Sequence, residues 1–288
     1  MQKDNITSAG DIEKVVFDIL KTSKSLGVFP TPVDRIIRFT DLSVDYSVDL
    51  STISYTGFWK KSGALKRASN KIRGALDRKK RSIYLDLSQR DSRKRFVKLH
   101  EVGHDALPWQ RELYRYFEDD DVTIDPDTDD FIELEANYFA SATLFQLDRF
   151  QQEAKYLPLE IDSAMKLAKK FGSSNHAAIR RFVEYSPYRC ALLVLNNPTS
   201  EHSYMISKKN YFQSPGFTSE FGRLVWPEIM NMDLPFVGDV YFGKRWLKNG
   251  VLDFSCKHNG PIEFQYHYFN NTYNSFILIM PVGEKKIS

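Results

Sequence analysis

Apolar side chains at Ile12, Val15, Val16, Ile19 and Leu20 recur at the spacing of one helical face and predict a helix over residues 11–24. Gly27 and the Pro30-Thr31-Pro32 punctuation end it, and residues 33–39 read as a second short helix. Residues 42–59 alternate loosely among Val, Ile, Tyr and Ser, which predicts one or two strands. Residues 82–87 alternate like an edge or half-buried strand and lead through a polar turn into a helix over 90–109. Acidic and turn-forming residues fill 118–130, so a loop is expected there, followed by a helix over 131–150. Residues 162–186 read as two helices broken at Gly172-Ser173. From Cys190 onward the pattern changes, and 190–195, 237–242, 262–269 and 275–280 are strand-like between Gly, Pro and Asn turns. The expected fold is α+β, with an N-terminal domain over 1–157, a helical module over 158–187 and a β-rich domain over 188–288.

Hydrophobic residues make up 42% of the 288, enough for a real core and too many for a disordered tail. The formal charge of +3 is small and does not announce a nucleic-acid binder. Its basic residues are nevertheless clustered, with ten Lys or Arg between Lys60 and Arg81 against the single acid Asp77. Such a run is a solvated face in the plainer reading and a docking surface for an acidic partner or nucleic acid in the sharper one. The two cysteines, Cys190 and Cys256, form neither a disulfide framework nor a CxxC clip, which suits a reducing cytoplasm. The N-terminus lacks a signal-peptide core, and no run approaches the roughly 18 apolar residues of a membrane span. A soluble cytoplasmic protein with no membrane partner is expected.

The segment Phe96-Val-Lys-Leu-His100-Glu101-Val-Gly-His104 carries the candidate chemistry. Positions i and i+4 of a helix share a face, so the two imidazoles converge in front of it. Neutral imidazole nitrogens about 2 Å from the ion suit Zn²⁺, which in a catalytic site takes a third protein ligand and leaves the fourth position to water. Glu101, directly after the first histidine, would stand beside that water as general base. The third ligand is to be sought on the next helix, where Glu133-Leu-Glu135-Ala-Asn137 begins 29 residues after His104. Glu133, with Asn137 one turn later, has the spacing of a metal ligand followed by a group that holds a histidine's second nitrogen. Glu135, on the opposite side of the helix, is the alternative. The bland reading is a buried helix with satisfied histidines and a solvated acidic face, and the joint occurrence of both segments weakens it.

Arg95-Phe96, His100-Glu-Val-Gly-His104 and Glu133-x-x-Ala136-Asn137-x-Phe139-Ala140 resemble the ImmA/IrrE family of zinc metallopeptidases. The N-terminal helix, the Pro-containing entry and the strand before the histidine helix extend the resemblance over residues 10–150. It implies a zincin-like domain holding Zn²⁺, with Glu133 instead of Glu135 as third ligand; Mn²⁺ is the other candidate ion, because affinity order alone does not set occupancy. It further implies an endopeptidase that cleaves a specific protein, a helix-turn-helix transcriptional repressor of stress responses or mobile elements, by metal-activated water attack. After the second motif the family has a Leu-Leu-Met-Pro-like end, where this chain has Thr143-Leu-Phe-Gln146.

Residues 164–182 resemble a helix-turn-helix, with Arg180 and Arg181 on the second helix as candidate DNA contacts. A helical hairpin packed on the catalytic domain is the simpler reading. The order of modules resembles stress-response members that end in a β-rich, GAF-like sensor domain. The rival function is a metal-binding DNA-binding or sensor protein without peptidase turnover.

Overall fold

The computed structural model describes residues 6–52, 73–119, 126–197, 206–256 and 260–285. The second expected strand of 42–59 and most of the basic run fall on residues 53–72, outside the described residues. The chain divides into two compact units, one of Met1–Phe150 with Lys169–Ser174, the other of Gln151–Ala168 with Asn175–Ser288.

In the first unit, α1 (Ala9–Thr22) and α2 (Val33–Phe39) form where periodicity placed them. A three-stranded sheet has the order β1-β3-β2, with β1 (Ser43–Asp49) parallel and β2 (Gly74–Asp77) antiparallel to β3 (Ser82–Leu85). The strand read as edge or half-buried, β3, is central, and β2 was hidden in the basic run. Its short Gly-Ala-Leu-Asp pattern is too brief for period-2 detection between flanking arginines. Against this sheet packs α3 (Asp91–Ala106), which also meets α2 and α5 (Pro126–Leu144). Residues Val97 through Asp105 are all buried, so α3 is covered on every side in its second half. Its polar groups there must find protein partners. Lys98 donates to Asp34 at 2.8 Å, and Asp105 accepts from Arg81 at 2.5 Å. Gly103 lets α3 and α5 approach closely, because a Cβ there would lie 3.0 Å from the Phe139 ring.

Two boundaries differ from expectation for visible reasons. Pro126 and the acidic residues after it open α5, where a loop was expected; Pro tolerates the first helical turn and acids favour the positive end of the dipole. The helix stops at Leu144, short of residue 150, because Gln146 and Leu147 turn left-handed at φ 51° and 61°. Gln146 then clamps the loop ahead of α2, accepting from the Gly27 amide at 2.7 Å and donating to the Val28 carbonyl at 2.8 Å. The departure Thr143-Leu-Phe-Gln146 has a structural use. Between α3 and α5 lies α4 (Pro108–Asp119), of which only the first two residues fell in the helix expected over 90–109.

After α6 (Arg149–Ala154), α7 (Ile161–Phe171) and α8 (Asn175–Glu184) are joined through Gly172 at φ 75°. In the second unit α8 buries Ala178, Ile179, Phe182 and Val183 and packs on the strands β4 (Ala191–Asn196) and β5 (Ile206–Gln213). The remaining elements are α9 (Pro215–Phe221), β6 (Ile229–Met230), α10 (Pro235–Tyr241), β7 (Trp246–Cys256), β8 (Gly260–Asn270) and β9 (Asn274–Pro281). Their sheet is antiparallel with the order β6-β5-β4-β9-β8-β7. The strand expected over 237–242 is instead α10, whose Phe236, Val237 and Val240 recur at helical spacing behind Pro235. The α+β reading holds, with a mainly helical N-terminal part and a β-rich C-terminal sheet.

Candidate metal centre

One turn of α3 separates His100 from His104, and α5 brings Glu133 to both. His100 Nε2 and His104 Nε2 lie 2.9 Å apart; Glu133 Oε2 is 3.3 Å from the first and Oε1 3.3 Å from the second. One potential ligand atom from each of the three lies within 4.8 Å of the others. Two imidazole edges this close, facing one carboxylate, leave unshared electron pairs crowded together unless a proton or cation sits among them. The donor set of two imidazoles and one carboxylate with a position left over is that of a catalytic zinc site. The residues therefore fit a single divalent ion.

Electrostatics follow from burial and this convergence. Burial, then the neighbouring His104, push His100 down to about 4, against the pull of Glu133 and Asn137. Asn137 favours the charged form without a well-aligned bond to Nδ1. Burial also opposes charge on His104, but Glu133, Glu101 and Gln110 outweigh it and raise its pKa. Glu133 is held well below the usual carboxylate range: desolvation is overcome by the two histidines. Glu101 is pushed up to about 7, chiefly by desolvation, with Glu133 adding to the rise and His104 and Arg78 opposing it. Its carboxylate lies against β2, since a Cβ on Gly74 would come 2.8 Å from Glu101 Oε1 and 2.3 Å from Val97 Cγ1.

Glu135 is not among the converging groups. It is buried on the other side of α5, where it accepts from Trp109 Nε1 at 2.7 Å and Gln110 Nε2 at 2.8 Å, and from Ser8. Three neighbours of the centre had no sequence signal. Gln110 Oε1 lies 2.9 Å from His104 Nδ1, the position spacing had offered to Asn137. The Arg78 guanidinium donates to the His104 carbonyl at 3.0 Å and lies 3.7 Å over the Tyr114 ring, whose edge meets His104. Arg78 was lost in the basic run, and Gln110 and Tyr114 lie just past the helix expected over 90–109, in a stretch to which the pattern gave no element.

Residues 52–183, which contain every element of this centre, match the family described as the IrrE N-terminal-like domain, peptidase M78. Over that stretch the chain is similar to the IrrE N-terminal-like domain. Among solved structures, a Mycobacterium tuberculosis transcriptional regulator is similar over 94% of this chain and 76% of that one. The likeness has a TM-score of 0.54 at 14% identity and speaks for the fold alone. No curated protein matches the chain. The match suggests a peptidase relationship, and the cluster of His100, His104 and Glu133 suits the metal that such a relationship implies. No helix among the described residues is long and apolar enough to cross a membrane.

The two arginines read as DNA contacts lie on α8, in the second unit. Arg180 is bound to Glu184 at 2.9 Å and lies 4.4 Å over the Phe212 ring; Arg181 lies 4.8 Å from the Tyr185 ring. Both have partners within their own unit.

Proposed function

We propose that the chain is a zinc-dependent endopeptidase acting on a specific cytoplasmic protein, a helix-turn-helix repressor, with His100, His104 and Glu133 as metal ligands. The observation that carries this reading is the convergence of those three side chains beside a buried glutamate, inside the stretch similar to the IrrE N-terminal-like domain. When bound, Zn²⁺ or Mn²⁺ would polarise the scissile carbonyl and make water a nucleophile near neutral pH. Glu101 is the residue that would accept a proton from an attacking water at its carboxylate and return one to the leaving amine. Burial at 5% exposure keeps bulk water from competing for it. Asn137 adds a polar neighbour to His100. The domains are read as a peptidase domain over 1–157, a helical module over 158–187 and a GAF-like, sensory β-rich domain over 188–288.

The test is incubation of the zinc-loaded protein with repressors encoded beside its gene, read by mass spectrometry of the products. Cleavage by wild type, abolished by chelation, is expected. Glu101→Gln should retain metal and lose about 10²–10⁴ in rate, the usual effect of removing a general base. Equal cleavage by the two proteins at matched metal content would contradict the mechanism. Full biological activity of Glu101→Gln, with specific DNA bound through α8, would support the sensor reading instead.

A further inference from the structure

The geometry points to Gln110 as a positioning residue that fixes the tautomer of His104, with Glu135 as the group that sets the orientation of Gln110. The inference rests on the reading of His104 as a metal ligand and deepens it. A side-chain amide has one accepting and one donating end, and nothing in Gln110 itself decides which faces the histidine. Its surroundings decide. The NH₂ group meets two acceptors, the Ile132 carbonyl at 3.0 Å and Glu135 Oε2 at 2.8 Å. Neither can donate to an amide oxygen, so reversing the amide would set oxygen against oxygen twice. The oxygen must therefore face His104 Nδ1, 2.9 Å away.

An acceptor at that nitrogen demands a proton on it. In the neutral ring the proton sits on Nδ1, and the lone pair is left on Nε2, the atom facing His100 and Glu133. Glu135 is itself held, taking Trp109 Nε1 at 2.7 Å on one oxygen and Ser8 on the other. Gln110 and Glu135 are 0% and 1% exposed, so water cannot substitute for either partner. The chain of donors and acceptors runs one way from Glu135 to His104, and it leaves the metal-facing nitrogen free to coordinate. Among the described residues His100 Nδ1 has no well-aligned acceptor, and Asn137 only lies close enough to favour the charged ring. The two histidines thus differ: one ring is locked and one is set by the ion and Glu133.

The test compares wild type with Gln110→Met, which keeps size but removes the acceptor, and with the conservative variant Glu135→Gln. In Glu135→Gln the amide oxygen still accepts from Trp109 and Gln110, and its NH₂ group turns to the Ser8 hydroxyl, which can accept. Nitrogen NMR of the imidazoles in metal-free protein, in alkaline buffer where the rings are neutral, reads the tautomer without any metal or activity. Wild type and Glu135→Gln should show His104 protonated on Nδ1 alone, and Gln110→Met should show both tautomers. Zinc affinity should fall about 10- to 100-fold in Gln110→Met and stay near wild type in Glu135→Gln. A single Nδ1–H tautomer in Gln110→Met, or a mixture in wild type or in Glu135→Gln, overturns the inference. Lost affinity with an unchanged tautomer overturns it too, since Gln110 would then be merely structural. If Gln110→Met does not fold, the tautomers of wild type and Glu135→Gln decide. The underlying ligand reading is tested separately by His104→Ala, which should abolish zinc binding; unaltered binding there sinks that reading while the tautomer result stands.

Discussion

At the residue scale, the centre separates two glutamates that the sequence left two positions apart on one helix. Glu133 faces both imidazoles, and Glu135 anchors hydrogen bonds behind them. Glu133→Ala should therefore lower zinc affinity far more than Glu135→Ala, which acts on the ion only through Gln110; competition with a fluorescent chelator measures both. Equal losses would contradict the assignment. Gly74→Ala probes the other flank, where a methyl would overlap Val97 and Glu101 at 2.3 and 2.8 Å. The expected outcome is a loss of about 1–3 kcal/mol in urea unfolding, as for other overpacked sites, with zinc affinity nearly unchanged and cleavage impaired. His100, Glu101 and His104 were legible because helical spacing alone brings them together. Gln110 and Arg78 were not, because their proximity depends on how α4 and β2 fold back on α3, which no local period encodes.

At the element scale, α3 is an amphipathic helix at its start and a fully enclosed one at its end, and the change requires partners from elsewhere. Asp105 is 2% exposed at its side chain and is held by Arg81 from the turn before β3, with Arg111 at 3.5 Å as a weaker second cation. Removing one partner of a fully buried pair costs about 3–5 kcal/mol. Arg81 is 38% exposed and Arg111 remains, so Arg81→Ala should cost less, about 2 kcal/mol, in chemical denaturation. An unchanged midpoint would mean that Arg111 suffices. Of the helices in the first unit, α1, α2 and α3 were legible from periodicity, α5 only in its middle, and α4 not at all. In the C-terminal region α10 was misread, because Val237-Gly-Asp-Val-Tyr-Phe242 is rich in strand-favouring residues and short enough for tertiary packing to override propensity. The strands β5 and β7 carry Lys, Asn and Asp among their apolar residues, which blurred their alternation.

At the scale of the whole molecule, the first compact unit is discontinuous in sequence. Phe171 from the end of α7 is fully buried there, 4.8 Å from the Phe29 ring and 5.4 Å from Phe150. Phe171→Ala should destabilise that unit by about 3–5 kcal/mol, and a chain ending at residue 157 should melt at lower temperature than the same unit in the full chain; calorimetry measures both. In the second unit, burial pushes the Cys190 thiol up to about 12, so its thiolate is scarce even at pH 9. Iodoacetamide should leave Cys190 unmodified in the native protein at that pH and label it after denaturation, as peptide mapping would show. Rapid native labelling would mean that this part of the core opens. All of the chemistry proposed for the chain depends on one ion held by His100, His104 and Glu133. Native mass spectrometry of the metal-stripped protein titrated with zinc tests that most directly. The prediction is one zinc per wild-type chain and none retained by His100→Ala/His104→Ala; a wild type that holds no zinc, or a double variant that holds it equally well, would contradict the account.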